Sequence, residues 1–414
     1  MLEKIQIMKD RMFVIPGGFV PYNDVVTLLT YKRLRNLDLE MDVFSFKGKV
    51  DEGIKKELEN DPNFSKFNIK YTSDIDWAIP RFYPYRLPIG LFLMNKYVHD
   101  SLIEFEKKEY KYLFSSIVPG ISHIAAYKIK KKHPEVKWYA SFSDPFKGSP
   151  YKNSDLSNNN FLYKIMFNVG SYCLYNDKYE EVAVNNADKL IFICPEQRNF
   201  TLKQYPNYEE LLKKSIVMPL TYIPDWNMYK DIIDSKKPNN EKLIAVHLGR
   251  LYGLRRPTTF IEALKELKEE DEHLSDKIEF HQYSEIQDYD VQKIKEYGLE
   301  DLFIIHDKVS YDKSISVMRD ADVLVLFDTL LRDKEVQPYL PSKIIEYLLF
   351  DKPILAICDD NSPSYRILKE NGYDTVGSDT ETIKNNIKAI LSNKMVNHVN
   401  IDKYNSDKFN MLEL

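Results

Sequence analysis

Cysteine is scarce in this sequence: three residues in 414, Cys173, Cys194 and Cys358, lying far apart. That spacing argues against a disulfide framework or a cysteine-based metal site and fits buried thiols in a reducing compartment. Long apolar runs are also missing. The longest, such as Val323-Leu-Val-Leu-Phe327, are the size of a strand and far too short to cross a bilayer. No apolar signal segment follows Met1-Leu-Glu-Lys, so a cytoplasmic location is expected, with peripheral contact at the inner face of the membrane left open. No His/Cys cluster has zinc spacing. A Gly-x-Ser-x-Gly elbow is absent, and so is the Gly-x-Gly-x-x-Gly dinucleotide fingerprint. Excess positive charge is lacking too: a net charge of −5 and a pI near 6.0 argue against nucleic acid as the main partner. The charge is uneven, about +5 before residue 220 and about −10 after it. The densest basic cluster, Lys128, Lys130, Lys131 and Lys132, reads either as a solvated helix face or as a local contact for an anionic membrane or acceptor.

What is present is ordinary soluble-protein composition, 43% hydrophobic and 29% charged, in a chain long enough for two domains. Strand-like and helix-like stretches alternate, which is the α/β pattern. Strands are predicted at Met12–Ile15, Tyr112–Ser115, Lys137–Phe142, Lys189–Ile193 and Ser215–Met218, with helices over about 24–37 and through about Lys131. Thr221 to Asn240, with Pro224, Pro238 and the pair Asn239-Asn240, reads as a linker. The alternation then restarts with strands at Leu243–Leu248, Lys277–Phe280, Leu302–Ile305, Val323–Phe327 and Ile354–Ile357, and a helix from Pro257 to Glu270. The expected organisation is a first domain over 1–221, a linker over 222–240, a second domain over 241–397, and a final segment 398–414 that packs back on the first. Two doubly wound units would set a cleft between the carboxyl ends of their sheets.

The most informative stretch is Tyr339-Leu-Pro-Ser-Lys-Ile-Ile-Glu-Tyr-Leu-Leu-Phe-Asp-Lys-Pro-Ile-Leu-Ala356. Pro341 suits the first turn of a helix, where the missing N–H has no intrahelical partner. Lys343 and Glu346 then share one face. A lysine in a first turn opposes the helix dipole, unless an anion binds there; a solvated Lys343–Glu346 pair is the competing explanation. A second cationic junction follows the strand Leu243–Leu248: Gly249-Arg-Leu-Tyr-Gly-Leu-Arg-Arg-Pro257. Gly249 allows close backbone approach, and Arg250, Arg255 and Arg256 crowd one loop, where guanidinium groups suit a diphosphate. The loop Pro16-Gly17-Gly18 also allows a ligand near the backbone. His281, Tyr283 and His306 lie at predicted strand ends and are candidates to line the same cleft. In Trp138-Tyr-Ala-Ser-Phe-Ser-Asp-Pro-Phe146, Asp144 directly follows a strand and Pro145 stiffens the turn; the plainer role for Asp144 is a turn cap. Asp74-Ile-Asp76 looks like a metal-binding acid pair, but no fitting strand is predicted before it, and it reads as chance.

Ser342, Lys343, Glu346 and Tyr347 resemble the donor-site helix of family 4 glycosyltransferases, and Gly249-Arg250 with Arg255 resembles that family's Gly-Arg motif with a basic residue six positions after the glycine. Ser115 to His123 and Phe142-Ser-Asp-Pro-Phe146 resemble a bacterial subgroup with a Phe-x-Asp-Pro-Trp/Phe signature. The resemblance implies a GT-B fold, two Rossmann-like doubly wound α/β domains facing across a cleft. It implies transfer of a sugar from a nucleotide-diphospho-sugar, such as a UDP-sugar, to a glycan, lipid-linked or protein acceptor, with retention and no metal or other cofactor. Asp144, Arg250, Arg255 and Lys343 would carry the catalysis. Gly17, Gly18, Gly249, His306, Ser342 and Glu346 would hold the donor, with Glu346 on the ribose hydroxyls. Where the family has a second acid, eight residues before the glutamate, this chain has Pro338, with Asp333 and Glu335 nearby. That departure keeps a second role open, a non-catalytic subunit of the same fold that binds or stabilises a partner transferase. Self-association is open as well.

Overall fold

The computed structural model describes residues 10–22, 25–76, 87–117, 120–153, 177–233, 240–331, 337–392 and 401–413. The chain divides into two compact units: Met1–Lys152, Leu156–Pro219 and Phe409–Leu414 form one, and Asn153–Asp155 with Leu220–Lys408 the other.

The first unit is built on seven parallel strands, β1 (Arg11–Gly18), β2 (Glu40–Lys47), β3 (Phe67–Asp76), β4 (Tyr112–Ser116), β5 (Lys137–Ser141), β6 (Lys189–Phe192) and β7 (Ser215–Val217). Their order is β3-β2-β1-β4-β5-β6-β7. Strands covered on both faces read as continuous apolar runs, and Met12, Phe13, Val14 and Ile15 are all fully buried in β1. The helix Ile121–Lys132 turns Ile121, Ala125, Ala126 and Ile129 into the core beside Trp138 and Leu113. Its lysines fall at the carboxyl end of the helix, where cations suit the dipole. Lys130 donates to the carbonyls of Pro134 and Val136 and pairs with Asp188 at 2.8 Å, and Lys132 pairs with Glu106. That basic cluster is therefore a helix face with its own partners for Lys130 and Lys132.

Two strands of this sheet escape the sequence reading. β2 mixes polar and apolar residues, and β3 is a largely polar edge strand. Asp74 and Asp76 close β3, so a strand does precede them, contrary to expectation. Among the described residues no group of three His, Cys, Asp or Glu side chains could hold a metal ion. Nor is any described helix long and apolar enough to cross a membrane.

The second unit carries six parallel strands, β8 (Leu243–Leu248), β9 (Ile278–Tyr283), β10 (Phe303–His306), β11 (Val323–Phe327), β12 (Ile354–Ile357) and β13 (Val376–Gly377), in the order β10-β9-β8-β11-β12-β13. The helix Thr258–Glu270 packs Phe260, Ile261, Leu264 and Leu267 on this sheet. The stretch read as a linker carries the helix Asn227–Ile233, with Trp226 and Tyr229 buried against the unit; the Tyr229 and Tyr311 hydroxyls are hydrogen-bonded. Residues 401–408 also join this unit: Tyr222 N–H donates to Tyr404 O (3.0 Å), and Ser406 N–H to Tyr222 O (2.9 Å).

In each sheet the strand order reverses once, between β1 and β4 in the first and between β8 and β11 in the second. Loops leaving the carboxyl ends of such a pair diverge to opposite faces and open a crevice, the usual ligand position in doubly wound sheets. Gly17 and Gly18 end β1, and Gly249 follows β8.

Candidate functional site

At the switch point of the second sheet, the loop after β8 is held close to β9. Gly249 N–H donates to Tyr283 O at 3.1 Å, Gln282 Nε2 donates to Gly249 O at 2.7 Å, and Leu251 N–H donates to Glu285 O at 2.9 Å. A Cβ at position 249 would stand 3.3 Å from Nε2 of His247, tighter than most real Cβ contacts, so a glycine fits there. The three arginines of the loop then part ways. Arg250 is more than half exposed, lies over the Tyr252 ring and reaches Glu285 only at 4.0 Å. Arg256 turns back to Gly253 O at 3.0 Å. Of the three, Arg255 alone keeps a buried Nε–H without a hydrogen-bond partner among the described residues.

The helix Lys343–Leu348 places Lys343 in its first turn as expected, but Pro341 lies just before the Ser342 cap rather than inside that turn. Ile344 N–H donates to Pro341 O, and Ser342 sits in helical conformation without using its side chain as a cap. Asp351, in the left-handed region at φ +47°, ends the turn that follows. Lys343 Nζ is 3.0 Å from Glu346 Oε2 and lies over the Tyr311 ring at 5.3 Å; Tyr311 donates to Glu346 Oε1. Tyr347 OH receives the N–H of Leu248 at 3.3 Å, which ties this helix to the end of β8. The two cationic segments, read separately in the sequence, therefore meet. Their common neighbour is His247: burial, with the charges of Arg255 and Lys343 added, drives its imidazole down to about 3, so it is neutral.

Several residues of this group were not singled out by the sequence. Asp328 follows β11 and is fully buried; it receives Thr329 N–H at 2.6 Å and Gln337 Nε2 at 3.0 Å. Gln337 in turn bonds Thr329 O and takes the N–H of Tyr339. This buried pair fixes the segment that leads through Pro338 into the lysine helix. Burial raises the Asp328 carboxyl to about 6, against the opposing pull of the Ser364 hydroxyl and the Arg255 charge. The available signal was position: Asp328 is the first residue after a wholly apolar strand at the switch point. Asp333 and Glu335 lie outside the described residues.

His306 and His281 form their own group on β10 and β9. His281 Nδ1 is 2.8 Å from His306 Nε2, Glu279 Oε2 is 3.2 Å from His281 Nε2, and Tyr283 stacks on His306 with centroids 4.4 Å apart. Burial and the neighbouring His281 hold His306 below its usual value.

In the first unit, Asp144 is exposed in the bend after β5. The backbone just beyond it is anchored by the wholly buried Glu180, which accepts from Phe146 N–H (2.6 Å), Lys147 N–H (3.3 Å) and Tyr205 OH (2.9 Å). Burial pushes Glu180 up to about 7 despite those donors. Gly17 holds φ +80°, a left-handed value that favours glycine, and its carbonyl accepts from Ser45 at 3.1 Å. A Cβ on Gly18 would come 3.1 Å from Thr27 Cγ2. Ser115, His123 and Trp138, by contrast, belong to the core: Ser115 Oγ accepts from Trp138 Nε1 and bonds His123 Nδ1, both at 2.8 Å.

Residues 229–407 match the model of the family described as glycosyl transferases group 1. Nearly the whole chain is similar in fold to solved structures, among them the following three. One is the N-terminal domain of Candida albicans trehalose-6-phosphate phosphatase (TM-score 0.61, 11% identity, 98% of this chain and 93% of that one). Another is sucrose-phosphate synthase from Thermosynechococcus elongatus (0.59, 12%, 93% and 90%). The third is Anabaena HepE, solved with UDP and glucose (0.59, 12%, 98% and 96%). The chain has the GT-B fold, and residues 229–407 carry a glycosyltransferase domain. No curated protein sequence matches it. The two-domain α/β GT-B fold expected from the motifs is the one observed. The match places the glycosyltransferase's family domain over both cationic loops and the Asp328–Gln337 pair.

Proposed function

We propose that this glycosyltransferase moves a sugar from a nucleotide-diphospho-sugar to a glycan, lipid-linked or protein acceptor, with retention of configuration and without a metal or other cofactor, as in the family 4 subgroup whose motifs it resembles. One observation carries the reading. Arg255, from the loop after β8, and Lys343, from the start of the helix that follows β11, both bear on the same buried imidazole, His247, beside Gly249. As the glycosidic bond breaks, charge grows on the β-phosphate, and fixed cations there stabilise it without rearranging at the moment of reaction. Glu346, placed by Tyr311 and Lys343, takes the ribose hydroxyls. Asp144 orients the acceptor or the donor sugar, and Gly17 and Gly18 let it approach the backbone. HepE was solved with UDP and glucose, and Staphylococcus aureus TarM with UDP, which favours a uridine donor. We place the reaction in the cytoplasm, at the inner membrane face when the acceptor is lipid-linked.

The test is a panel of nucleotide-sugars scored for thermal stabilisation and hydrolysis, in excess EDTA and in magnesium. A donor at a hundred times its dissociation constant adds about 2.7 kcal/mol of stability, and turnover should survive the chelator. Failure of every donor to stabilise the protein would end the proposal; activity that needs the metal would end its metal-free form.

Asp144→Asn should leave donor affinity unchanged and slow transfer to the acceptor, since a misplacement of about 1 Å can cost on the order of a hundredfold in rate. If Asp144 is only a turn cap, the variant loses about 1 kcal/mol of stability and keeps its turnover per folded molecule. Melting temperature, donor affinity and turnover on one preparation separate the two roles.

A further inference from the structure

His247 is placed to do more than fill the core. It is 6% exposed, and its Nδ1 lies 2.8 Å from the carbonyl oxygen of Val325. A carbonyl only accepts, so Nδ1 carries the proton and Nε2 presents a bare lone pair. That Nε2 is buried and has no hydrogen-bond partner among the described residues. It points toward Gly249, at the mouth of the loop that carries Arg255. Further buried polar atoms near the same strand ends also lack hydrogen-bond partners among the described residues, among them the Nε–H of Arg255, Oε1 of Gln282 and Oδ2 of Asp328.

The chemistry of that lone pair is wrong for the ligand proposed above. Phosphate oxygens accept hydrogen bonds, and so does a neutral Nε2. One added proton turns the imidazole into a donor that matches the diphosphate. The groups facing His247 set when this can happen. Arg255 comes from the loop after β8, and Lys343 from the lysine helix. The Val325 carbonyl and the Phe327 ring edge, centroids 4.9 Å apart, come from β11. Gln282 on β9 and Gly249 on its own loop are uncharged. Burial is the main opposition to protonation, the charges of Arg255 and Lys343 add to it, and the Val325 carbonyl works the other way; among the described residues no carboxylate acts on the imidazole. A diphosphate that neutralises both cations removes their share of the opposition and supplies an acceptor for the new N–H.

We infer that this site binds a nucleoside diphosphate together with a proton, and that His247 Nε2 receives it. The inference rests on the donor reading above and adds a binding residue to it. No covalent bond changes: the proton comes from solvent and stays on Nε2 until the product leaves.

The experiment is calorimetry of the full chain with UDP, GDP and ADP at pH 7.5 in two buffers of different ionisation enthalpy, since free phosphate groups with a second pKa of about 6 are already ionised there. With the tightest of the three, the wild type should take up close to one proton per ligand, and affinity should rise about tenfold for each pH unit lowered. Asp328→Asn should keep the uptake, which excludes the other buried group near Arg255. His247→Gln should abolish it and flatten the pH dependence. Histidine ¹⁵N shifts of the wild-type complex should show a protonated Nε2, a reading that does not depend on any variant folding. Binding of UDP without proton uptake in the wild type, or unchanged uptake in His247→Gln, overturns the inference while leaving the donor site standing. If none of the three nucleotides binds, the donor reading falls and takes this inference with it.

Discussion

Lys343→Ala should lose donor-dependent turnover and destabilise the second domain together. Lys343 Nζ is 3.0 Å from Glu346 Oε2, with the lysine side chain a quarter exposed and the glutamate nearly buried. Removing one partner of a buried pair leaves a charge that water cannot reach, at a cost of about 3–5 kcal/mol, and the lysine's partial exposure puts this case at the low end. Loss of one charge-assisted contact to a diphosphate adds about 1.5–3 kcal/mol to the binding deficit. The two effects separate in the double variant Lys343→Ala/Glu346→Gln. A neutral glutamine still accepts from Tyr311 and needs no cation, so stability should return while donor affinity stays low. Denaturant midpoints and nucleotide affinity for the two single variants and the double one give the comparison. Normal donor affinity in Lys343→Ala would mean that the phosphate cradle lies elsewhere.

Glu180→Gln should make the first domain acid-sensitive. His123 is fully buried there and held near 3 by burial, against 6.5 for a free imidazole. The unfolded chain therefore binds a proton that the fold refuses. Its contribution to stability is complete above pH 6.5 and falls as pH drops toward 3, by about 1.4 kcal/mol per unit. Glu180 runs the other way. Its folded value of about 7 lies above the ordinary 4.5, so its contribution is complete below 4.5 and is lost as pH rises through 7. Between pH 6.5 and 4.5 the two slopes nearly cancel, and the wild-type domain should hold its stability with respect to these two groups. The glutamine variant removes only the compensating group. It should then lose about 2–3 kcal/mol over those two units, by the same slope, when amide exchange of β5 is followed from pH 7 to 4.5. An unchanged acid profile would show that His123 is protonated in the fold at far milder pH than its burial implies. The second domain holds a parallel pair, His247 near 3 and Asp328 near 6.

The sequence carried the architecture wherever a strand is buried on both faces. β8, β11 and β12 span the residues their apolar runs delimit, Leu243–Leu248, Val323–Phe327 and Ile354–Ile357. Continuous apolar runs between glycine and proline punctuation leave few alternatives. β2 and β3 were invisible because a half-polar strand near a sheet edge has no such run. The cationic residues were legible as well, since arginines and a lysine at strand-to-helix junctions conflict with local electrostatics and so ask for an anion. Which of them matter was not legible. Arg250 and Arg256 stand in the same loop as Arg255, yet one faces solvent and one folds onto its own backbone. Loop conformation decides that, through pairing with a strand some thirty residues away. The roles of His247 and Asp328 depend on it even more. In sequence they are a histidine inside an apolar run and an acid after one. Only the reversal of strand order between β8 and β11 brings them beside Arg255 and Lys343, and only burial in that crevice leaves a lone pair unpaired and a carboxyl short of solvent. Local pattern fixes which residues form the elements. Electrostatics among side chains far apart in the chain exists only once the sheet has assembled.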